Sequence, residues 1–137
     1  MSFDPVVAGP VTTAISPWLS LRGGARAVEF YKAAFSAVEV YRVEAPDGAV
    51  VSRLSVDGAE FWLSDESPEH GNVSPETSSG TPVRMIVTVT DPDAAFKRAI
   101  AAGAKEIYPV SEGHGWRVGR LVDPFGHHWE LGRKIAD

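Results

Sequence analysis

Apolar and polar positions alternate with period two from Ile15 to Leu21, with Ile15, Pro17, Leu19 and Leu21 on one side and Ser16, Trp18 and Ser20 on the other. That is the pattern of a half-buried strand, and Pro17, which has no N–H to give, puts it at a sheet edge or at the strand's beginning. Gly23-Gly24 breaks the pattern, after which Ala27, Phe30, Tyr31, Ala34 and Phe35 recur at helical spacing and predict a helix over Ala25 to Phe35. Val38 to Val43, Val50 to Val56 and Glu60 to Ser64 read as strands, joined by a Pro46-Asp47-Gly48 turn and an Asp57-Gly58 hairpin. The same order then repeats. Val83 to Thr90 is strand-like, and Asp91-Pro92-Asp93 supplies an acidic cap and a first-turn proline for a helix carrying Ala94, Ala95, Phe96, Ala99 and Ile100. Gly103 closes that helix, and Lys105 to Val110, Trp116 to Val122 and His127 to Gly132 complete the set of strands.

The chain therefore reads as an α+β protein of two tandem β-α-β-β-β units: an N-terminal arm (1–14), a first unit (15–65), a linker (66–82) and a second unit (83–133). The ends of the units still match. With two extra residues, Pro124 and Phe125, allowed in the second turn, Gly58 falls on Gly126, Phe61 on Trp129 and Leu63 on Leu131. A chain built from two copies of one unit tends to hold its site at the pseudo-twofold between them. The Ser- and Pro-rich segment, with hardly an apolar side chain, reads as a linker between the halves, and the sequence leaves open whether it acts as a lid over such a site.

Composition narrows the partners. An apolar fraction of 44% and a charged fraction of 23% are those of an ordinary globular domain. A net charge of −5 argues against nucleic acid or an anionic membrane, because no basic patch could release counterions. No run approaches the roughly 18–20 apolar residues that cross a bilayer, and the first residues lack the basic start of a secretion signal. The absence of cysteine removes thiol catalysis, thiolate zinc and disulfides, and fits a cytoplasmic location. A small molecule is the expected partner.

Arg26-Ala27-Val28-Glu29-Phe30-Tyr31 in the first helix and Asp123-Pro124-Phe125-Gly126-His127 before the last strand, set in two β-α-β-β-β units, resemble the vicinal oxygen chelate superfamily of glyoxalases, bleomycin-resistance proteins and extradiol dioxygenases. The resemblance spans about residues 15 to 133 and is nearest to the short PhnB-like branch. It implies the glyoxalase/bleomycin-resistance fold, in which each unit's sheet curls into a half-barrel with its helix outside, and it implies a homodimer. It does not fix the reaction, since one scaffold hosts isomerases, dioxygenases, transferases and simple binders. Strand alternation then sends Ile15, Leu19, Leu21, Val83, Met85, Val87 and Val89 to the helix side. Ser16, Trp18, Ser20, Glu60, Trp62, Arg84, His128 and Glu130 go to the cavity side.

Metal-dependent relatives hold a divalent ion with one side chain from the first and closing strands of each unit. The matching positions here are Ser16, Trp62, Arg84 and Glu130, of which only Glu130 is a competent ligand. No metal or other cofactor is therefore expected. Trp18, Trp62, Arg84, His128 and Glu60 are expected to line an aromatic-walled site for a planar or cationic guest, with Arg84 paired to Glu130. The alternative is a metal-dependent lyase, isomerase or dioxygenase with a displaced set, His128, Glu130 and Glu60, in which Glu130 carries the catalysis. His127 is expected to be structural, and His114 and His70 to lie on exposed loops.

Overall fold

The computed structural model describes residues 9–137, so the first half of the expected arm lies outside the described residues. Residues 9–16 are exposed and carry no regular element. The first unit is β1 (Trp18–Leu21), α1 (Gly24–Phe35), β2 (Val38–Glu44), β3 (Val50–Val56) and β4 (Ala59–Asp65). A 3-10 turn (Pro68–His70) and a short helix α2 (Pro75–Ser78) follow. The second unit is β5 (Met85–Thr88), α3 (Pro92–Ala102), β6 (Lys105–Gly113), β7 (Trp116–Val122) and β8 (His128–Lys134). The two sheets have the same order, β1-β4-β3-β2 and β5-β8-β7-β6. In each, the first strand pairs in parallel with the closing strand, and the rest of the ladder is antiparallel.

Both first strands are shorter than their alternation predicts. Ile15 is 97% exposed and Val83 is 63% exposed, so neither joins the helix side as expected. Only residues with a ladder partner on the closing strand are held in a strand, and the register begins at Trp18↔Trp62 and Met85↔Trp129.

The linker is braced rather than loose. The Glu66 carboxylate accepts from the Ser74 N–H (2.8 Å), the Thr77 hydroxyl (2.7 Å) and the Arg22 guanidinium (3.0 Å). Buried Pro75 lies against Gly126, where φ is +91° and an added Cβ would come within 2.8 Å of the proline ring. These contacts hold residues 66–78 to both units.

One core serves the whole molecule. Leu19, Leu21, Leu54, Phe61 and Leu63 from the first sheet share it with Leu121, Trp129 and Leu131 from the second, and α1 and α3 supply Tyr31, Phe35, Phe96 and Ala99. The Phe61 and Trp129 rings, the matched residues of the two units, are 5.5 Å apart. At the centre is Asp123, 4% exposed. Its carboxylate accepts from Tyr31 Oη (2.5 Å), Trp129 Nε1 (2.8 Å) and the N–H groups of Phe125 (2.9 Å) and His127 (3.0 Å). Burial first, and then the neighbouring carboxylate, raise the Tyr31 hydroxyl well above its ordinary range, so it stays a donor. The motif that precedes the last strand is thus a buried node tying α1 to the second unit.

Candidate functional site

Each sheet has a closed face against the shared helical core and an open face turned away from it. Phe61 and Leu63 are buried, so strand alternation puts Glu60, Trp62 and Ser64 on the first open face. The ladder adds Trp18 beside Trp62, Arg53 opposite Trp62, and Tyr41 opposite Arg53. In the second sheet the open face carries Ile86 beside Glu130, Arg120 opposite Glu130, Tyr108 opposite Arg120, and His128 opposite Val122.

On the first face Trp18 and Trp62 stack with ring centroids 5.2 Å apart and planes 6° from parallel. Trp18 Nε1 donates to Ser64 Oγ (2.9 Å), which fixes one indole in place. The Tyr41 ring meets Trp62 edge-on at 5.7 Å, and the Arg53 guanidinium lies over the Trp62 ring at 5.2 Å. Glu60 is 3.8 Å from Arg53 Nε, which makes no hydrogen bond. Trp18 remains 52% exposed. Two stacked indoles held at a sheet surface form a flat wall whose outer face is open to a guest.

The second face is ionic. Arg84 Nε donates to Glu130 Oε2 at 2.7 Å, the expected pair. Arg120 Nε donates to His128 Nδ1 at 3.2 Å, so neutral His128 carries its proton on Nε2. Burial, and then the Arg120 charge, lower the His128 pKa below its ordinary value.

The structure does not bring the predicted site residues together within one chain. Trp18, Trp62 and Glu60 stand on the first sheet, and Arg84, His128 and Glu130 on the second. Both closed faces pack on the same core, so the open faces do not look at each other across a common cavity. Among the described residues no three His, Asp or Glu side chains converge as a metal set requires, and Glu60 stands with Arg53 rather than with His128 and Glu130. As a donor set, the family's four positions do not fit a divalent ion. Ser16 is exposed ahead of β1, Trp62 is stacked, Arg84 is a cation, and Glu130 is already bonded to it.

The loop histidines are placed as expected, with His70 and His114 exposed and His114 in the β6–β7 turn at φ +53°. His127 is buried, and its Nε2–H donates to the Ser20 carbonyl (2.9 Å), joining the last strand to β1. Sequence reasoning missed Tyr41, Arg120 and Tyr108 as open-face residues. The signal was present in Arg120-Leu121, where a fully buried leucine forces the preceding arginine outward. A groove of about 730 Å³ lies along the seam between the units, where the repeat put the expected site, and it is lined by Phe35, Phe61, Met85, Val87 and Trp129, which sequence reasoning did not assign to it. Of the predicted site residues, Glu60 alone reaches it.

The glyoxalase-like domain model matches residues 19–132. An uncharacterized Mycobacterium tuberculosis protein is 40% identical over 132 residues, covering 93% of this chain and 78% of that protein. The Arabidopsis thaliana protein At5g48480 is 33% identical over 119 residues, covering 79% of this chain and 70% of that protein. The crystal structure of that Arabidopsis gene product superposes with a TM-score of 0.70 at 29% identity, covering 90% of this chain and all of that one. A member of the glyoxalase/bleomycin resistance protein/dioxygenase superfamily from Sphaerobacter thermophilus reaches a TM-score of 0.71 at 17% identity, covering 90% of this chain and 98% of that one, a likeness of fold alone. The two matched units, their parallel first-and-last strand pairing and this family match agree: the chain belongs to the glyoxalase-like domain family.

Proposed function

We propose that this protein is a homodimeric, cytoplasmic small-molecule-binding protein of the bleomycin-resistance type, in the PhnB-like branch, which needs no bound metal. The observation that carries the reading is the stacked, half-exposed Trp18–Trp62 wall with Arg53 and Tyr41 around it. An exposed indole held rigid by a neighbour and a hydrogen bond costs little further entropy when a planar guest covers it. The homodimer is supported by the apolar side chains left on both open faces: Trp18, Tyr41 and Val43 on the first, and Ile86, Tyr108 and Trp116 on the second. A second copy set about a twofold brings the first open face of one chain over the second open face of the other, closing two equivalent cavities. Trp18 and Trp62 of one copy then share a cavity with a second copy's Arg84, His128 and Glu130, which one chain alone cannot do.

Light scattering measures the dimer directly, and titration of tryptophan fluorescence with 2-naphthol tests the wall. Saturable quenching that Trp62→Leu abolishes supports the reading. Metal at about one equivalent per chain, lost in Glu130→Ala, overturns it in favour of the displaced-metal enzyme.

A further inference from the structure

From the pairing of the two units, we infer that the second open face is an oxyanion subsite centred on Arg120, so that the guest of the tryptophan wall is a planar aromatic anion rather than a cation. The aromatic half of this inference rests on the function proposed above; the anion half stands on the second sheet.

The ladders make Arg53 and Arg120 equivalent. Arg53 is opposite Tyr41 and Trp62, and Arg120 is opposite Tyr108 and Glu130. Both follow the same rule of placement, since the next residue in each case, Leu54 or Leu121, is fully buried. Their surroundings differ in charge. Arg53 has the Glu60 carboxylate at 3.8 Å and the Trp62 π-face at 5.2 Å. At the position matching Glu60 the second unit has His128, which offers Arg120 only a neutral ring nitrogen. At the position matching Trp62 it has Glu130, whose carboxylate is held by Arg84 at 2.7 Å.

Arg120 is thus a partly buried guanidinium with no carboxylate within ion-pair distance among the described residues. Its Nε is the one nitrogen bonded to the protein there. A guanidinium drawn partly out of water with two nitrogens unused is matched by a planar, bidentate oxyanion. His128 adds an Nε2–H donor next to it, and Tyr108, its ladder partner, is 63% exposed. Lys105, opposite Val122 at the sheet edge, adds a second cation, while Arg84 and Glu130 cancel. Arg120 and Lys105 thus place two cations on this sheet although the whole chain carries −5.

Two measurements separate the anion subsite from the aromatic wall. The first is calorimetric titration with three probes of one shape: 2-naphthoate, 2-naphthol and 2-naphthylmethylammonium. Naphthoate is expected to bind at least tenfold more tightly than the other two, and Arg120→Gln to remove about 10- to 100-fold of that affinity, the usual worth of a charge-assisted hydrogen bond. Arg120→Lys should restore part of it, and Lys97→Gln, on the exposed side of α3, should change nothing.

The second measurement follows the His128 ring resonance by NMR during titration with inorganic phosphate. The resonance should move in the wild type and stay still in Arg120→Gln. Equal binding of the three naphthalenes with no phosphate response overturns the subsite and leaves the wall standing. A phosphate response without any naphthalene binding keeps the subsite and overturns the aromatic guest.

Discussion

Around the shared core the closed faces of the two units match, Leu54 with Leu121, Phe61 with Trp129 and Leu63 with Leu131, and they part only away from it, where Val50 and Ser52 correspond to Arg117 and Gly119. The open faces kept Arg53/Arg120, Tyr41/Tyr108 and Val51/Val118. Elsewhere an indole stands against an aliphatic chain (Trp18, Ile86), an indole against a carboxylate (Trp62, Glu130), and a carboxylate against an imidazole (Glu60, His128). The difference teaches which face answers to packing. A closed-face side chain must fill a dense core shared with the other unit, where a volume change of a single methylene is felt. An open-face side chain meets water or a guest and is constrained by chemistry alone.

The turns before the closing strands show a second asymmetry. Asp57-Gly58 is a minimal hairpin at the surface, with Asp57 at φ +52°. The two extra residues of the second turn let Phe125 bury beside Phe30 and carry Asp123 beneath Tyr31. The insertion converts a turn into a clasp between units.

The largest test of this contrast is Asp123→Ala, which strands two backbone N–H groups, a phenol and an indole N–H. It should cost about 3–4 kcal/mol in chemical denaturation. Asp57→Asn, in the matching turn, should stay within about 0.5 kcal/mol. A comparable loss at both turns would break the comparison.

Truncating one tryptophan from each face comes next, as the pair that separates stability from binding. Trp129→Ala should lower stability by about 3–5 kcal/mol, the range for emptying a core aromatic site. Trp62→Ala should cost about 1 kcal/mol through lost stacking, yet remove the binding of planar probes.

Acid titration probes the linker brace. Hydrogen bonds from Ser74, then Thr77 and Arg22, hold the Glu66 carboxyl at a pKa of about 2 against an ordinary 4.5. A carboxyl depressed in the folded state stabilises fully above its ordinary value, and that contribution is lost as the pH falls from about 4.5 toward 2. Glu66→Gln should flatten the acid limb of a melting-temperature curve over that window; an unchanged limb would release the linker from this role.

The smallest effect belongs to the Arg84–Glu130 pair. Arg84 is half exposed, so solvent screens the bond, and Arg84→Ala should shift stability by less than about 1 kcal/mol. A cost of several kcal/mol would show that the second open face behaves as a buried layer.

Much of this architecture could be read from the sequence. The helical spacing of Phe30, Tyr31, Ala34 and Phe35, the Asp91-Pro92 start of α3 and the Asp57-Gly58 hairpin each act within a few residues, and each element formed where its own pattern put it. Reading failed where a partner distant in sequence decides. Ile15 and Val83 fit their strands' alternation but have no ladder partner on the closing strand. The Ser-rich linker looked free because Glu66, its anchor, gathers donors from three separate positions. Arg120 went unread because charge on a strand defaults to solvent, and only the register shows what it faces.

By itself, then, the sequence determined two units of the same order, the side of the first and closing strands that turns to the core, and the poor fit of Ser16, Trp62, Arg84 and Glu130 to a metal, because periodicity and side-chain donor chemistry are local properties. The tertiary structure decided that both closed faces share one core, that Trp18 and Trp62 stack away from Arg84 and Glu130, and that Arg120 meets no carboxylate among the described residues. Those depend on which strands meet and in what register, and that is settled by the packing of all the apolar surfaces at once.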